Sequence, residues 1–307
     1  MSTPKEDLLW PRASAWLKPA TNSTDSEAAN FDLALMGIPA HLTSISPTNA
    51  HTTPAAIRAA LQRYSTYNWS IGQDVSRLSF ADFDDVVEPD SFEGEARTSK
   101  LAAEVAAKSG LAIGLGGDNS VTFAMARGVF GDNIETAGLI TLDAHHDLRD
   151  GISNGSPVRR LVEEAGLDGR RIVQIGIADF SNSPAYAARA NELGIHVIAR
   201  SQLRNRPLAE VMAEAVAVAG AAGGHIHVDF DVDVCDRSVV PACPAAAPGG
   251  ISADEFRQLA FEAGRYSQVK SVDFTEIDAS IDSADGRTVR LAALAILELA
   301  AGRLSRV

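Results

Sequence analysis

From about Asp32 onward, short apolar runs alternate with longer stretches in which apolar residues recur at helical spacing. The runs Asp32–Gly37, Leu111–Leu115, Leu139–Leu142, Ile172–Ile175, Ile195–Ile198, His225–Asp231 and Val269–Phe274 read as strands. Being apolar on successive residues, most of them predict burial on both faces, as in a parallel sheet covered by helices. The segments between them predict helices over Pro54–Tyr64, Thr98–Lys108, Val121–Val129, Pro157–Ala165, Pro184–Leu193, Leu208–Ala219, Ala253–Gly264 and Arg287–Ala301. Several of these open with Pro, whose missing N–H costs nothing at a first helical position. No repeat and no Gly/Ser- or Pro-rich linker breaks the alternation, so residues 31–307 are expected to form one domain, preceded by an irregular arm over residues 1–30. Ser44–Thr53, rich in Ser, Thr, Asn and Pro, predicts a surface loop near a sheet edge.

Charge narrows the partners. The 40 acidic against 27 basic residues give a formal net charge of −13, which disfavours nucleic acid and anionic membrane and suits a cation or a cationic small molecule. The first residues lack the basic-then-apolar order of a signal peptide and no apolar run reaches the ~20 residues of a membrane helix, so a cytoplasmic protein is expected. Cys235 and Cys243 are too few for a disulfide framework and read as reduced, buried thiols.

The acids fall at strand ends, where open parallel sheets bind ligands. After Leu139–Leu142 comes Asp143-Ala144-His145-His146-Asp147, in which an extended backbone would turn Asp143, His145 and Asp147 to one side and His146 to the other. His146 is therefore expected to pack or to hydrogen-bond behind the site. His225–Asp231 leads into Asp229-Phe230-Asp231-Val232-Asp233, whose carboxylates would share one face. Such acids are costly to bury together without a cation, and the intervening Val and Phe argue against a solvated edge. Mixed carboxylate and imidazole donors suit Mn²⁺ or a similar ion better than Ca²⁺. The third strand end, Gly114-Leu115-Gly116-Gly117-Asp118-Asn119, is glycine-rich. It lacks the Lys of a P-loop, and Asp118 would repel phosphate, so its glycines are expected to bring backbone close to the other two clusters.

In order along the chain, Gly116-Gly117-Asp118-Asn119, Asp143-Ala144-His145-His146-Asp147, Asp231-Val232-Asp233 with Asp236, Gly249-Gly250 and Glu276 resemble the ureohydrolases, the family of arginase, agmatinase and formiminoglutamase. The resemblance spans about Asp32 to Gly302. It implies a three-layer α/β/α fold, assembly into a homo-oligomer (trimer or hexamer), and two Mn²⁺ ions sharing a hydroxide. Carried over by position, one ion would take Asp143, Asp147 and Asp231, and the other Asp143, His145, Asp231 and Asp233. Asp147 would also orient the hydroxide, and Glu276 would face the cationic amidine carbon. Asn119 stands where the family usually has a histidine ligand; its amide oxygen predicts a weaker first site. Asp236 is expected only to cap its loop.

Substrate choice in this family lies in the loop after the Asp-Ala-His-x-Asp motif. Here Ser153-Asn154-Gly155-Ser156-Pro157-Val158-Arg159 carries no histidine and resembles the formiminoglutamase type, as does Gly176-Ile177-Ala178-Asp179-Phe180-Ser181-Asn182. The expected substrate-binding residues are Arg149, Asn154, Ser156, Arg159, Asp179, Asn182 and Glu276, with the two arginines as carboxylate clamps. The implied activity is hydrolysis of a linear amidine, N-formimino-L-glutamate to L-glutamate and formamide, in histidine breakdown. A guanidino hydrolase releasing urea, such as an agmatinase, and a relative with catalysis weakened through Asn119 stay open beside it.

Overall fold

The computed structural model describes residues 7–20 and 30–306. Among these, nine strands form one sheet: β1 (Lys18–Pro19), β2 (Leu33–Ile38), β5 (Phe80–Asp85), β6 (Ala112–Gly116), β7 (Gly138–Leu142), β8 (Ile172–Ile177), β9 (His196–Ala199), β10 (Ile226–Asp231) and β11 (Val269–Thr275). A short antiparallel hairpin, β3 (Tyr67–Asn68) with β4 (Gln73–Asp74), stands apart. The order across the large sheet is β1-β5-β2-β6-β11-β10-β7-β8-β9, and every neighbouring pair is parallel.

Register explains why the acids meet. Leu142 of β7 lies level with Phe230 of β10, Phe230 with Phe274 of β11, and Phe274 with Leu115 of β6. All four side chains are fully buried, Phe230 and Phe274 stacking with centroids 5.2 Å apart, and each burial is worth about 1.5–3 kcal/mol. Strands pinned at that row end side by side, so the residues immediately beyond it, Asp143, Asp231, Thr275 and Gly116, emerge at one height.

Helices cover both faces. On one side α1 (Thr53–Ala60), α7 (Leu208–Ala219), α8 (Ala253–Arg265) and α9 (Arg287–Leu304) place Ile57, Met212, Phe256 and Ile296 in the largest core. On the other, α2 (Gly94–Ala107), α3 (Val121–Phe130), α4 (Pro157–Glu163) and α5 (Pro184–Glu192) contribute Val105, Met125, Leu161 and Ala190. A single turn, α6 (Arg200–Leu203), follows β9. The layers are those expected from the sequence. No helix among the described residues is long and apolar enough to cross a membrane.

Two strands of the large sheet escape the apolar-run criterion, as do both strands of the hairpin. β5 reads Phe-Ala-Asp-Phe-Asp-Asp, with only Phe80 and Ala81 buried, because it lies near the sheet's edge, where polar side chains reach water. β1 extends that edge from within the expected N-terminal arm, whose residues 1–6 and 21–29 lie outside the described ones. Nearby, Trp16 packs on Phe80 at 4.7 Å and donates its indole N–H to Leu78 O.

Candidate active site

The loops leaving β6, β11, β10 and β7 converge beyond the middle of the sheet. The chain turns at Leu142, so Asp143, His145 and Asp147 are gathered by a loop and not by strand alternation; Asp147 takes a left-handed backbone, φ 53°. Likewise β10 ends at Asp231, and Asp233 sits in the following 3-10 turn, its N–H donated to Asp231 Oδ1 at 2.8 Å. Asp229 is not in that row. It faces Thr275 and its register partner Asp273 on β11, both buried.

Asp143, His145 and Asp233 each bring a donor atom within 4.8 Å of the others. His145 Nδ1 is 2.7 Å from Asp233 Oδ2 and 3.6 Å from Asp143 Oδ1. Asp233 Oδ1 accepts the N–H of Ala144 at 2.9 Å, and Asp143 Oδ1 that of His145 at 2.6 Å. Asp143 Oδ2 is buried with no hydrogen-bond partner. An orphan carboxylate oxygen among further acids is what a cation site leaves behind, because such an atom costs several kcal/mol when nothing neutralises it.

The acidities agree. Burial, then the charge of Asp233, pushes Asp143 up to about 7. Burial likewise carries Asp147 and Asp231 well above the usual carboxylate range, reinforced by Asp143 for Asp147 and by Asp233 for Asp231. Burial opposes a charged His145, but hydrogen bonds and charges from Asp143 and Asp233 outweigh it and raise the ring to about 12. Asp233 is itself held low, its burial offset by the bond to His145. Asp143, Asp147 and Asp231 thus favour their protonated forms in the protein alone, and a divalent ion would compete with those protons for the same oxygens.

Asn119 and Glu276 complete the floor. Glu276, directly after β11, is buried with a left-handed φ of 63°. Its Oε1 accepts the backbone N–H of Asn119 at 2.7 Å and Asn154 Nδ2 at 2.9 Å. Burial, then Asp118, lifts it to about 8 against those two bonds. Asn119 presents its amide N–H to Asp147 Oδ2 at 2.7 Å, while its Oδ1 accepts from Thr122 at 2.8 Å and Thr275 at 3.0 Å. The glycines before it allow close approach: a Cβ on Gly117 would collide with Ala40 O, and Gly117 O receives the N–H of Glu276.

A cavity of about 130 Å³ opens over this floor, lined by His145, Asp147, Asp231, Asp233 and Glu276 together with Arg149, Asn154 and Asn182. Arg149 is exposed and lies over Gly155. Asn182 braces the loop that follows β7, accepting the N–H of His146 and donating to Ala144 O, each at 2.9 Å. His146 points behind the site, as expected, with Nδ1 2.6 Å from Gln174 Oε1. Asp236 caps its loop through the N–H groups of Ser238 and Gly249. Cys235 and Cys243 are buried free thiols.

Three expected substrate contacts do not line the cavity. Arg159 is nearly buried, and its guanidinium is consumed by Arg149 O at 2.7 Å, Gly151 O at 2.6 Å and Glu163 at 2.8 Å. It staples the loop instead of offering a free fork. The Ser156 hydroxyl closes a turn on Ser153, and Asp179 lies exposed outside the lining. Conversely, Ile45, Ser46 and Tyr186 line the cavity. The polarity of residues 44–53 signals a loop, but only the sheet order, with β2 beside β6, brings it over the site.

The sequence matches the description of the arginase family over residues 31–302. It is 35% identical over 277 residues to a formimidoylglutamase of Halalkalibacterium halodurans, covering 88% of this chain and 86% of the relative. The crystal structure of formimidoylglutamase from Bacillus subtilis superposes with a TM-score of 0.90 at 28% identity, over 99% of this chain and 95% of that one. Trypanosoma cruzi formiminoglutamase with Mn²⁺ superposes with a TM-score of 0.85 at 25% identity, over 97% and 100%.

Proposed function

The chain belongs to the arginase family, and on that premise we propose that it hydrolyses N-formimino-L-glutamate to L-glutamate and formamide with Mn²⁺. The observation that carries the reading is the meeting of Asp143, His145 and Asp233, with an unpartnered oxygen on Asp143, beside a cavity that His145 and Asp233 line together with Glu276. The donor set fits Mn²⁺, mixing hard carboxylates with one imidazole. Asp143, His145, Asp231 and Asp233 would hold one ion, and Asp143, Asp147 and Asp231 the other, more weakly because the oxygen of the neighbouring Asn119 is taken by Thr122 and Thr275. When bound, such a pair lowers the pKa of water and stabilises negative charge developing on the attacked group.

The chain's own side chains do the rest. Asp147, fixed by Asn119 at 2.7 Å, orients the attacking water. Glu276 lies on the cavity floor and faces the amidinium cation, whose positive charge favours its ionised form. Arg149 at the rim pairs with a substrate carboxylate. His145 is the one histidine among the described lining residues, and it is engaged by two acids. The similarity to formimidoylglutamases supports a formimino over a guanidino substrate. The family resemblance supports a homo-oligomer, and the proposed place of work is the cytoplasm.

The test is a panel of formimino and guanidino compounds after Mn²⁺ loading. Glutamate from N-formimino-L-glutamate should appear with the highest kcat/KM. Faster urea release from agmatine or a guanidino acid refutes the substrate assignment.

A further inference from the structure

The segment of residues 41–48 and the acid Glu276 belong to distant parts of the chain, yet one side chain touches both. Asn154 donates Nδ2 to Glu276 Oε1 over 2.9 Å and lies 3.4 Å from Ser44 Oγ. Its Oδ1 accepts the backbone N–H of Ile45 at 3.0 Å, and its own N–H donates to Thr43 O at 3.3 Å. Ile45 and Ser46 line the cavity, so what Asn154 grips is a wall of the site.

That wall is anchored at its two ends by other groups. Asp90 accepts the N–H groups of His41 and Leu42, and Asp278 accepts that of Asn49. Between these anchors Ile45 is 55% exposed, and packing contributes little to hold it. At the other end of the bridge, Glu276 has a left-handed backbone, a conformation costing about 1–2 kcal/mol that β11 alone does not impose. Its carboxylate is held by the rigid backbone amide of Asn119 and by the adjustable side chain of Asn154. A primary amide suits this place because one end accepts from backbone while the other donates to a carboxylate.

We propose that Asn154 is a positioning residue that ties the 41–48 segment to Glu276, so that the cavity wall and the acid facing the substrate cation are set together. The proposal rests on reading the cavity as the amidine site. It differs from a direct substrate contact because Asn154 acts through its two partners.

Two variants of the Mn²⁺-loaded protein separate the halves of the bridge. Asn154→Asp keeps an acceptor for Ile45 N–H but sets a second carboxylate against Glu276, whereas Asn154→Ala removes both links. Amide exchange of the peptide spanning residues 41–48 reads the wall, and KM with kcat for N-formimino-L-glutamate at about pH 9, where carboxylates are ionised, reads the acid. For Asn154→Asp, exchange should stay within about twofold of the parent while KM rises about tenfold or more, with a smaller fall in kcat. For Asn154→Ala, exchange should accelerate about tenfold and KM should rise as well. Parental KM in Asn154→Asp, or parental exchange in Asn154→Ala, overturns the proposal. Should the parent release no glutamate, the substrate reading fails on its own, and the exchange contrast between the two variants still decides the tie to the wall.

Discussion

Asn119 donates its side-chain amide to Asp147 over 2.7 Å and turns its oxygen away, toward the hydroxyls of Thr122 and Thr275. An amide oxygen that already accepts two hydrogen bonds has little left for a cation. The protein dialysed against chelator should therefore retain closer to one Mn²⁺ per chain than two, the second returning in excess metal, as elemental analysis would read. Asn119→His should raise the retained content toward two. Unchanged metal content and activity in that variant would remove Asn119 from the first ion's surroundings.

The shared acids give a sharper contrast. Asp143→Asn or Asp231→Asn should lower turnover by about a thousandfold or more, on the scale of losing a principal catalytic element, while circular dichroism stays that of the parent. The metal-free variants should melt no lower than the metal-free parent, because each removes one of several mutually repelling buried charges. A fully active Asp231→Asn enzyme contradicts a two-metal centre.

Stability of the metal-free protein should fall as pH rises. Asp143 is raised to about 7 and Glu276 to about 8, against about 4 for such groups in an unfolded chain. Between those limits the folded state holds more protons than the unfolded one, so raising the pH favours unfolding, and the share of the loss due to these two acids is complete only above about pH 8. Melting in EDTA should drop by about 5 °C or more from pH 5 to pH 8, and added Mn²⁺ should restore most at the alkaline end. A flat profile in EDTA would show that these acids are not paying such a penalty.

Arg149 and Arg159 should behave differently although both lie near the site. Arg149→Ala should raise KM about tenfold with kcat less affected, the loss of a ground-state clamp. Arg159→Ala should instead lower stability, and with it the melting temperature, through about 1–3 kcal/mol of lost loop hydrogen bonds, and Arg159→Lys should not restore it, since one ammonium cannot span Arg149 O, Gly151 O and Glu163. A pure KM effect from Arg159→Ala, with melting unchanged, would return it to the substrate.

What could be read in advance follows a physical divide. Strands buried on both faces, such as Ile172–Ile177, announce themselves by uninterrupted apolar residues, and helices such as Leu208–Ala219 by period and caps. Residue types at strand ends pointed to metal chemistry, because several carboxylates beside an imidazole are costly to bury without a cation. Direction was harder. Whether Arg159 aims at a ligand or at its own loop depends on which carbonyls lie nearby, and composition is silent on that. Ile45 and Ser46 carry no chemical mark, and their place over the cavity follows only from β2 lying beside β6.

The position of β11 has a consequence for synthesis. It is the last strand among the described residues but lies in the middle of the sheet, between β6 and β10. While a ribosome is still making residues 269–275, β6 and β10 each lack a neighbour, and two open strand edges wait for the same segment. Asn119 must then wait for a partner 157 residues downstream. The nascent chain thus has a vulnerable interval that ends only once β11 has been made, and truncations before β11 should be insoluble rather than merely inactive.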